Sequence, residues 1–139
     1  MTERLDLTAS RNETWRPTID IPYTGGSLPL LGATIAMQWR LYEGAPGASL
    51  IGLPAVPYAD FPANEEDIAA GVAGPGYRIL RLSPVVNQAV LESLPTGLNQ
   101  PEPGEADRYV YDVIITYSDG STDRPIEGFV YLNKGTIRA

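Results

Sequence analysis

The run Tyr109-Val110-Tyr111-Asp112-Val113-Ile114-Ile115-Thr116-Tyr117, the turn Ser118-Asp119-Gly120-Ser121 and the apolar run Gly128-Phe129-Val130-Tyr131-Leu132 decide the fold class. β-Branched and aromatic residues dominate both runs, and such side chains suit a pleated, half-buried surface. The Asp119-Gly120 pair between them supplies hairpin chemistry, because a tight turn needs positive φ angles that Asp and Gly tolerate. Two long strands joined in this way predict an all-β domain. Tyr109, Tyr111 and Tyr117 share one strand face with Val113 and Ile115, and Asp112 falls on the other.

Working outward, residues 33–42 read as the clearest single strand. Ile35, Met37, Trp39 and Leu41 fall on one face, and Thr34, Gln38 and Arg40 on the other, which is the period of two of a sheet with one buried side. The turn Glu43-Gly44-Ala45-Pro46-Gly47 follows, with residues 49–53 as a returning partner. Trp15, Ile19 and Ile21 are spaced for one face of an earlier strand, and Pro17 assigns that strand to a sheet edge. Residues 77–82 form another strand. Ser83-Pro84 is a helix-start signal, so a short helix is expected over 84–93, with Val85, Val86, Ala89, Val90 and Leu94 on one face.

Two stretches resist this reading. Residues 54–76 hold four prolines and the acidic run Glu65-Glu66-Asp67 and are expected to be a long surface loop with one helical turn at 65–70. Residues 95–107 are a Pro/Gly-rich connection. Residues 1–12 are polar with Leu5 and Leu7 in alternation, a short strand or an arm that docks on a neighbour. The organisation expected is an arm over 1–12 and a single domain over 13–139.

Composition narrows the function classes. The chain of 139 residues fits one domain and has a globular hydrophobic fraction of 43%. Its 14 glycines and 13 prolines favour turns and short strands. There is no Cys, which removes disulfides and thiol chemistry, and no His, which removes the commonest general base and zinc ligand. The net charge of −7, from 17 acids against 10 bases, argues against nucleic acid as a partner. No segment reads as a signal peptide or a membrane span, so neither a membrane nor secretion is expected.

The motifs that could carry chemistry are weak. Glu65-Glu66-Asp67 lacks the alternating Asp pattern of a calcium loop and reads better as a helix's first turn. Asp60, Asp112 and Asp119 have no spacing that sets two carboxylates across a cleft. Gly71-Val72-Ala73-Gly74-Pro75-Gly76 has a phosphate loop's glycines, but Pro75 removes a donor and a strand, not a helix, follows. No catalytic residue, cofactor or metal is expected. Aromatic and apolar side chains remain, and amphipathic rings are enriched at interfaces. Leu5, Leu7, Trp15, Tyr58, Phe61, Tyr109 and Tyr111 are the candidate interface residues. Trp39 belongs to the core by its alternation.

The order of segments resembles a family. Leu31-Gly32-Ala33-Thr34-Ile35-Ala36-Met37-Gln38-Trp39-Arg40 is similar to a strand of small phage and prophage virion proteins, akin to the N-terminal immunoglobulin-like domain of phage upper baseplate proteins. In that family a strand ending in Leu-Ser, a short helical turn and a Pro follow, matched by residues 79–83 and 85–95. The hairpin Tyr109-Val110-Tyr111-Asp112, Asp119-Gly120 and Gly128-Phe129-Val130 matches the next. The sequence departs from the pattern at Thr24-Gly25-Gly26-Ser27 and in the long Pro-rich stretches. The resemblance spans residues 13–135 as scattered motifs. It implies an antiparallel immunoglobulin-like β-sandwich with one short helix, and a non-enzymatic structural component of a tailed-phage virion (tail, baseplate, neck or fibre attachment). The partners implied are other virion proteins, with a symmetric homo-oligomer or ring in the particle and synthesis in the host cytoplasm. A capsid decoration protein and a carbohydrate-binding module using exposed Trp15 or Tyr rings are the alternatives.

Overall fold

Alternating burial builds two sheets. The computed structural model describes residues 3–42, 44, 47, 49–71, 73–94 and 106–133. The strands are β1 (Glu3–Arg4), β2 (Leu7–Ser10), β3 (Ile19–Tyr23), β4 (Thr34–Arg40), β5 (Ile51–Leu53), β6 (Tyr58–Pro62), β7 (Arg78–Leu82), β8 (Asp107–Thr116) and β9 (Thr122–Asn133). Helix α1 (Glu65–Ala69) lies between β6 and β7, and α2 (Gln88–Ser93) between β7 and β8. The larger sheet runs β1-β9-β8-β4-β5, with β2 also on β9, and the smaller runs β3-β7-β6. That is the two-sheet strand order of an immunoglobulin-like sandwich, with β4 and β8 central and a buried Trp39 on the strand that such domains use for theirs.

The inward residues make one core. Ile35, Met37 and Trp39 of β4, Tyr109, Tyr111, Val113 and Ile115 of β8, and Ile126, Val130 and Leu132 of β9 face Ile19, Ile21, Leu80 and Leu82 of the smaller sheet. Each buried Ile, Leu or Met contributes about 1.5–3 kcal/mol relative to exposure. Trp39 packs edge-on against Trp15, with ring centroids 5.2 Å apart, and lies 6.2 Å from the Tyr109 ring. These aromatics fill the inter-sheet space that a disulfide occupies in antibody domains.

The hairpin forms as expected, with one difference. Its turn spans 117–121, closed by Tyr117 N–H donating to the Ser121 carbonyl at 2.8 Å, and positive φ falls only on Gly120. Asp119 instead accepts from the Ser121 N–H at 2.9 Å through its carboxylate. The ladder slips once, between Val113 and Ile115, opposite Arg124 and Pro125. Pro125, which cannot donate to a ladder, sits where no ladder bond is needed.

Several expectations are corrected. The sheets are not wholly antiparallel, because β1 and β2 pair in parallel with β9, Glu3 opposite Ile126 and Leu7 opposite Val130. Of the short strand or docking arm expected over 1–12, Glu3–Arg4 and Leu7–Ser10 are edge strands of this chain's own sheet. Residues 54–76 are not one loop, since β6 pairs with β7 along its whole length and α1 follows. Asn64 and Asp67 close a capping box that holds the α1 N-terminus. The predicted helix over 84–93 begins only at Gln88. Val86 is committed to a bridge with Trp15, its N–H donating at 3.0 Å and its carbonyl accepting at 2.9 Å, so the chain stays extended to Asn87. Val85 and Val90 consequently lie exposed, while Leu91 is buried. The connection expected over 95–107 falls, in residues 95–105, outside the described residues.

Candidate docking face

The sheet geometry that buries one face of β8 and β9 presents the other. Outward from β8 come Arg108, Val110 and Asp112, from β9 Glu127, Phe129 and Tyr131, from β4 Gln38 and Arg40, and from β1 Arg4. Phe129 is held between strands: the Arg4 guanidinium carbon lies 4.4 Å from its ring centroid and that of Arg108 lies 4.5 Å from it. Cation–π contacts of this kind fix the long arginine chains upright. Tyr131 meets the Phe129 ring edge-on at 6.2 Å. The slip opposite Pro125 brings Arg124 beside Asp112, Nε to Oδ2 at 3.3 Å, both partly exposed. Asp112 and Glu127 stand directly across the ladder from one another, a like-charge pairing that a sheet does not favour by itself. Arg4, opposite Glu127, and Arg124 offset it. Arg40 donates to the Gly47 carbonyl at 2.8 Å. Between these side chains lies an open, polar hollow of about 460 Å³.

The margin of this face depends on Gly128. Between β1 and β2 the chain bends over it, and a Cβ there would stand 2.3 Å from the Leu5 carbonyl oxygen. Leu5 N–H donates to Glu127 O at 3.0 Å, and the Asp6 carboxylate accepts from Phe129 N–H at 3.0 Å, standing in for a ladder carbonyl. Tyr111 closes the bend from inside by donating its hydroxyl to Leu5 O. Burial pushes the Tyr111 hydroxyl far above the ordinary tyrosine value, and the nearby Asp6 charge adds to the shift.

A second arginine site is internal. Arg11 donates from Nη1 to the carbonyls of Leu91 and Leu94, each at 2.9 Å, and from Nη2 to Asp107 at 2.9 Å. It thereby caps the C-terminus of α2 and locks it to the start of β8. In the smaller sheet, Arg78 and Tyr23 both contact Asp60, at 3.3 Å and 2.5 Å. Arg81 forks onto Asp20 at 2.7 and 3.1 Å while lying 5.0 Å from the Phe61 ring centroid.

The seven interface candidates are scattered. Trp15, Tyr109 and Tyr111 are only 6%, 1% and 3% exposed and belong to the core, where no partner reaches them. Their alternation marks a buried face, and the sequence alone gives no sign of which side that face takes. Leu7 is half-buried against the same core, and Leu5 is exposed at the bend over Gly128. Tyr58 is exposed and donates to Leu30 O at 3.2 Å, and Phe61 lies under Arg81 on the smaller sheet. The arginine face was missed. Its signal was present in the residues left over once Tyr109, Tyr111, Val113 and Val130 are placed inside: Arg108, Asp112, Glu127 and Phe129 must then share the outside. Among the described residues no three acidic side chains converge as a metal site would require, and no helix is long and apolar enough to cross a membrane.

No protein-family model matches the chain, and no curated protein matches it. Among solved structures, one of murine CRIg is similar over 94% of this chain and 92% of that one, at 11% identity and a TM-score of 0.32. At that score the likeness carries no argument. The immunoglobulin-like assignment stands on the strand order.

Proposed function

We propose that this chain is a non-enzymatic docking module of a tailed-phage particle, a tail, baseplate, neck or fibre-attachment component that works by protein–protein contact. The observation that supports it is the outward face of the larger sheet, where Arg4 and Arg108 flank Phe129 beside a hollow edged by Arg40 and Arg124. Arginine and aromatic rings are the side chains that anchor protein interfaces, since they combine area, planarity and directed donors. The motif order of the β4 strand, the β7 segment and the β8–β9 hairpin supports the virion setting.

Quantitative mass spectrometry of purified phage particles from the source culture tests the reading. Presence at a few to about a dozen copies per particle is the expected result and fits a closed ring at the tail or neck. Hundreds of copies would replace it with capsid decoration, and absence from particles would overturn the virion setting altogether. Trp15 offers no open ring face for a sugar, because its ring lies against Trp39 in the core.

A further inference from the structure

The two outer faces of the sandwich carry opposite charge. On the larger sheet Arg4, Arg40, Arg108 and Arg124 stand against Asp6, Asp112 and Glu127. On the smaller sheet Arg78 is matched by Asp60, and Arg81 stands against Asp20, Glu65, Glu66 and Asp67. The segment that carries α1 reaches that second face beside Ile79. The register points Ile79 away from the inter-sheet core, yet it is fully buried, so chain must cover it. The segment joining β6 to β7 leaves and returns at that spot, Ala63 N–H donating to Tyr77 O at 2.9 Å, and the Arg81 pKa, raised chiefly by the hydrogen bond to Asp20, is raised a little further by the Asp67 charge. Asp67 is occupied by the capping box and Asp20 by Arg81, but Glu65 and Glu66 project into solvent from the first turn.

From this complementarity we infer that the occupant of the arginine face is the α1 surface of a second copy of the chain. The inference rests on the docking role proposed above and names the partner. Glu65 and Glu66 of one copy would meet Arg4, Arg40 and Arg124 of the next, across the hollow beside Phe129. Arginine suits such a contact because its planar fork takes a carboxylate through two parallel donors. The two surfaces lie on opposite sides of one sandwich, so the contact is head-to-tail. A head-to-tail contact closes into a ring if the rotation permits and otherwise grows as a filament. A single contact carried by exposed ion pairs is weak and salt-sensitive, and gains strength by closure and by attachment to a particle.

Charge reversal tests it on the intact chain. Sedimentation velocity over a concentration series, at low and at high salt, compares wild type with Glu65→Arg/Glu66→Arg and with Arg4→Glu/Arg124→Glu. All four positions are surface sites, and circular dichroism confirms the fold of each variant. Wild type should self-associate at low salt and dissociate at high salt. Each variant alone should associate at least about tenfold more weakly. An equimolar mixture of the two variants should recover association, because each then supplies the charge that the other lost. A monomeric wild type at low salt, or association indifferent to both reversals, overturns the inference. A mixture that fails to recover does so as well. If wild type stays monomeric while particles still contain the protein, the self-contact is wrong and the docking role survives. Absence from particles instead removes the virion setting and leaves the self-contact to be judged by the charge swap.

Discussion

Arg11 and Arg124 each pair with an aspartate, and their surroundings give them different work. Arg11 meets Asp107 at 2.9 Å with side-chain exposures of 11% and 1%, while Arg124 meets Asp112 at 3.3 Å with exposures of 50% and 29%. Around Arg11 there is little water to solvate an orphaned charge, and its Nη1 and Nη2 donors are spent inside the chain, on α2 and on Asp107. Around Arg124 water competes for the same carboxylate, and the pair is worth little to stability. The buried arginine is a strut. The exposed one is available to rearrange when a partner displaces water, which is what recognition needs. Residue type is therefore a poor guide to role in this chain, and burial is the better one.

The largest effect expected is at the strut. Arg11→Ala leaves Asp107 buried without its guanidinium and takes a donor from the Leu91 and Leu94 carbonyls, and should cost about 3–5 kcal/mol in urea unfolding. Substituting both Arg11 and Asp107 with apolar residues should cost less than Arg11→Ala alone. A larger loss in the double variant would break the distinction between strut and recognition residue.

Gly128→Ala comes next. Its Cβ would meet the Leu5 carbonyl at 2.3 Å, and backbone must move. A loss of about 1–3 kcal/mol is expected, with hydrogen exchange accelerated at Leu5 and Phe129 and unchanged in β4. Retained protection at both amides would show that the bend over Gly128 adjusts.

Tyr111→Phe removes the donor to Leu5 O and should cost about 1 kcal/mol near neutral pH. Its pH dependence sharpens the comparison. The folded-state pKa of Tyr111 is raised above the ordinary value of 10.0, so the native state keeps its proton where the unfolded chain releases it. Stability is then complete below pH 10 and falls as pH rises beyond it, by about 1.4 kcal/mol for each pH unit from this group. Tyr23, Tyr109 and Tyr117 are shifted in the same direction and add to the alkaline loss. The urea midpoint of Tyr111→Phe should therefore fall less steeply above pH 10 than that of wild type. Parallel slopes would show that this hydroxyl does not govern the alkaline limit.

Arg124→Ala should change stability least, by under about 1 kcal/mol. Its effect belongs in particle incorporation and self-association. A stability loss as large as that of Arg11→Ala would mean that the outer face is a structural element as well.

The sequence made the sheets legible wherever a period of two was unbroken. β4 was readable because inward Ile35, Met37 and Trp39 alternate with Thr34, Gln38 and Arg40, and β8 and the far part of β9 because they are β-branched and aromatic runs on either side of Asp119-Gly120. Two kinds of information were missing. Partner choice was one: Leu5 and Leu7 alternate as a strand would, but nothing local says that they pair with Val130's strand in parallel. Competition was the other: Ser83-Pro84 is a sound helix start, overridden because Trp15 claims the Val86 backbone. The docking face was half legible. Its residues were visible as the complement of the core face, but the Arg4–Phe129–Arg108 stack joins three strands from both ends of the chain, a juxtaposition that only register creates.

Pairing the first strands with the last sets an order of assembly. Asp6 and Phe129, joined by a hydrogen bond, are 123 residues apart. Closing a loop of that length costs entropy before any contact repays it, so folding of this sheet is intrinsically slow. On a ribosome, residues 3–10 emerge before β9 and wait for it while the strands between them are made. Phe129 meets Arg108 as soon as the hairpin forms, whereas Arg4 can reach it only when the last edge is laid down. Completion of the face and completion of the fold are the same event, and a half-folded chain cannot present the site.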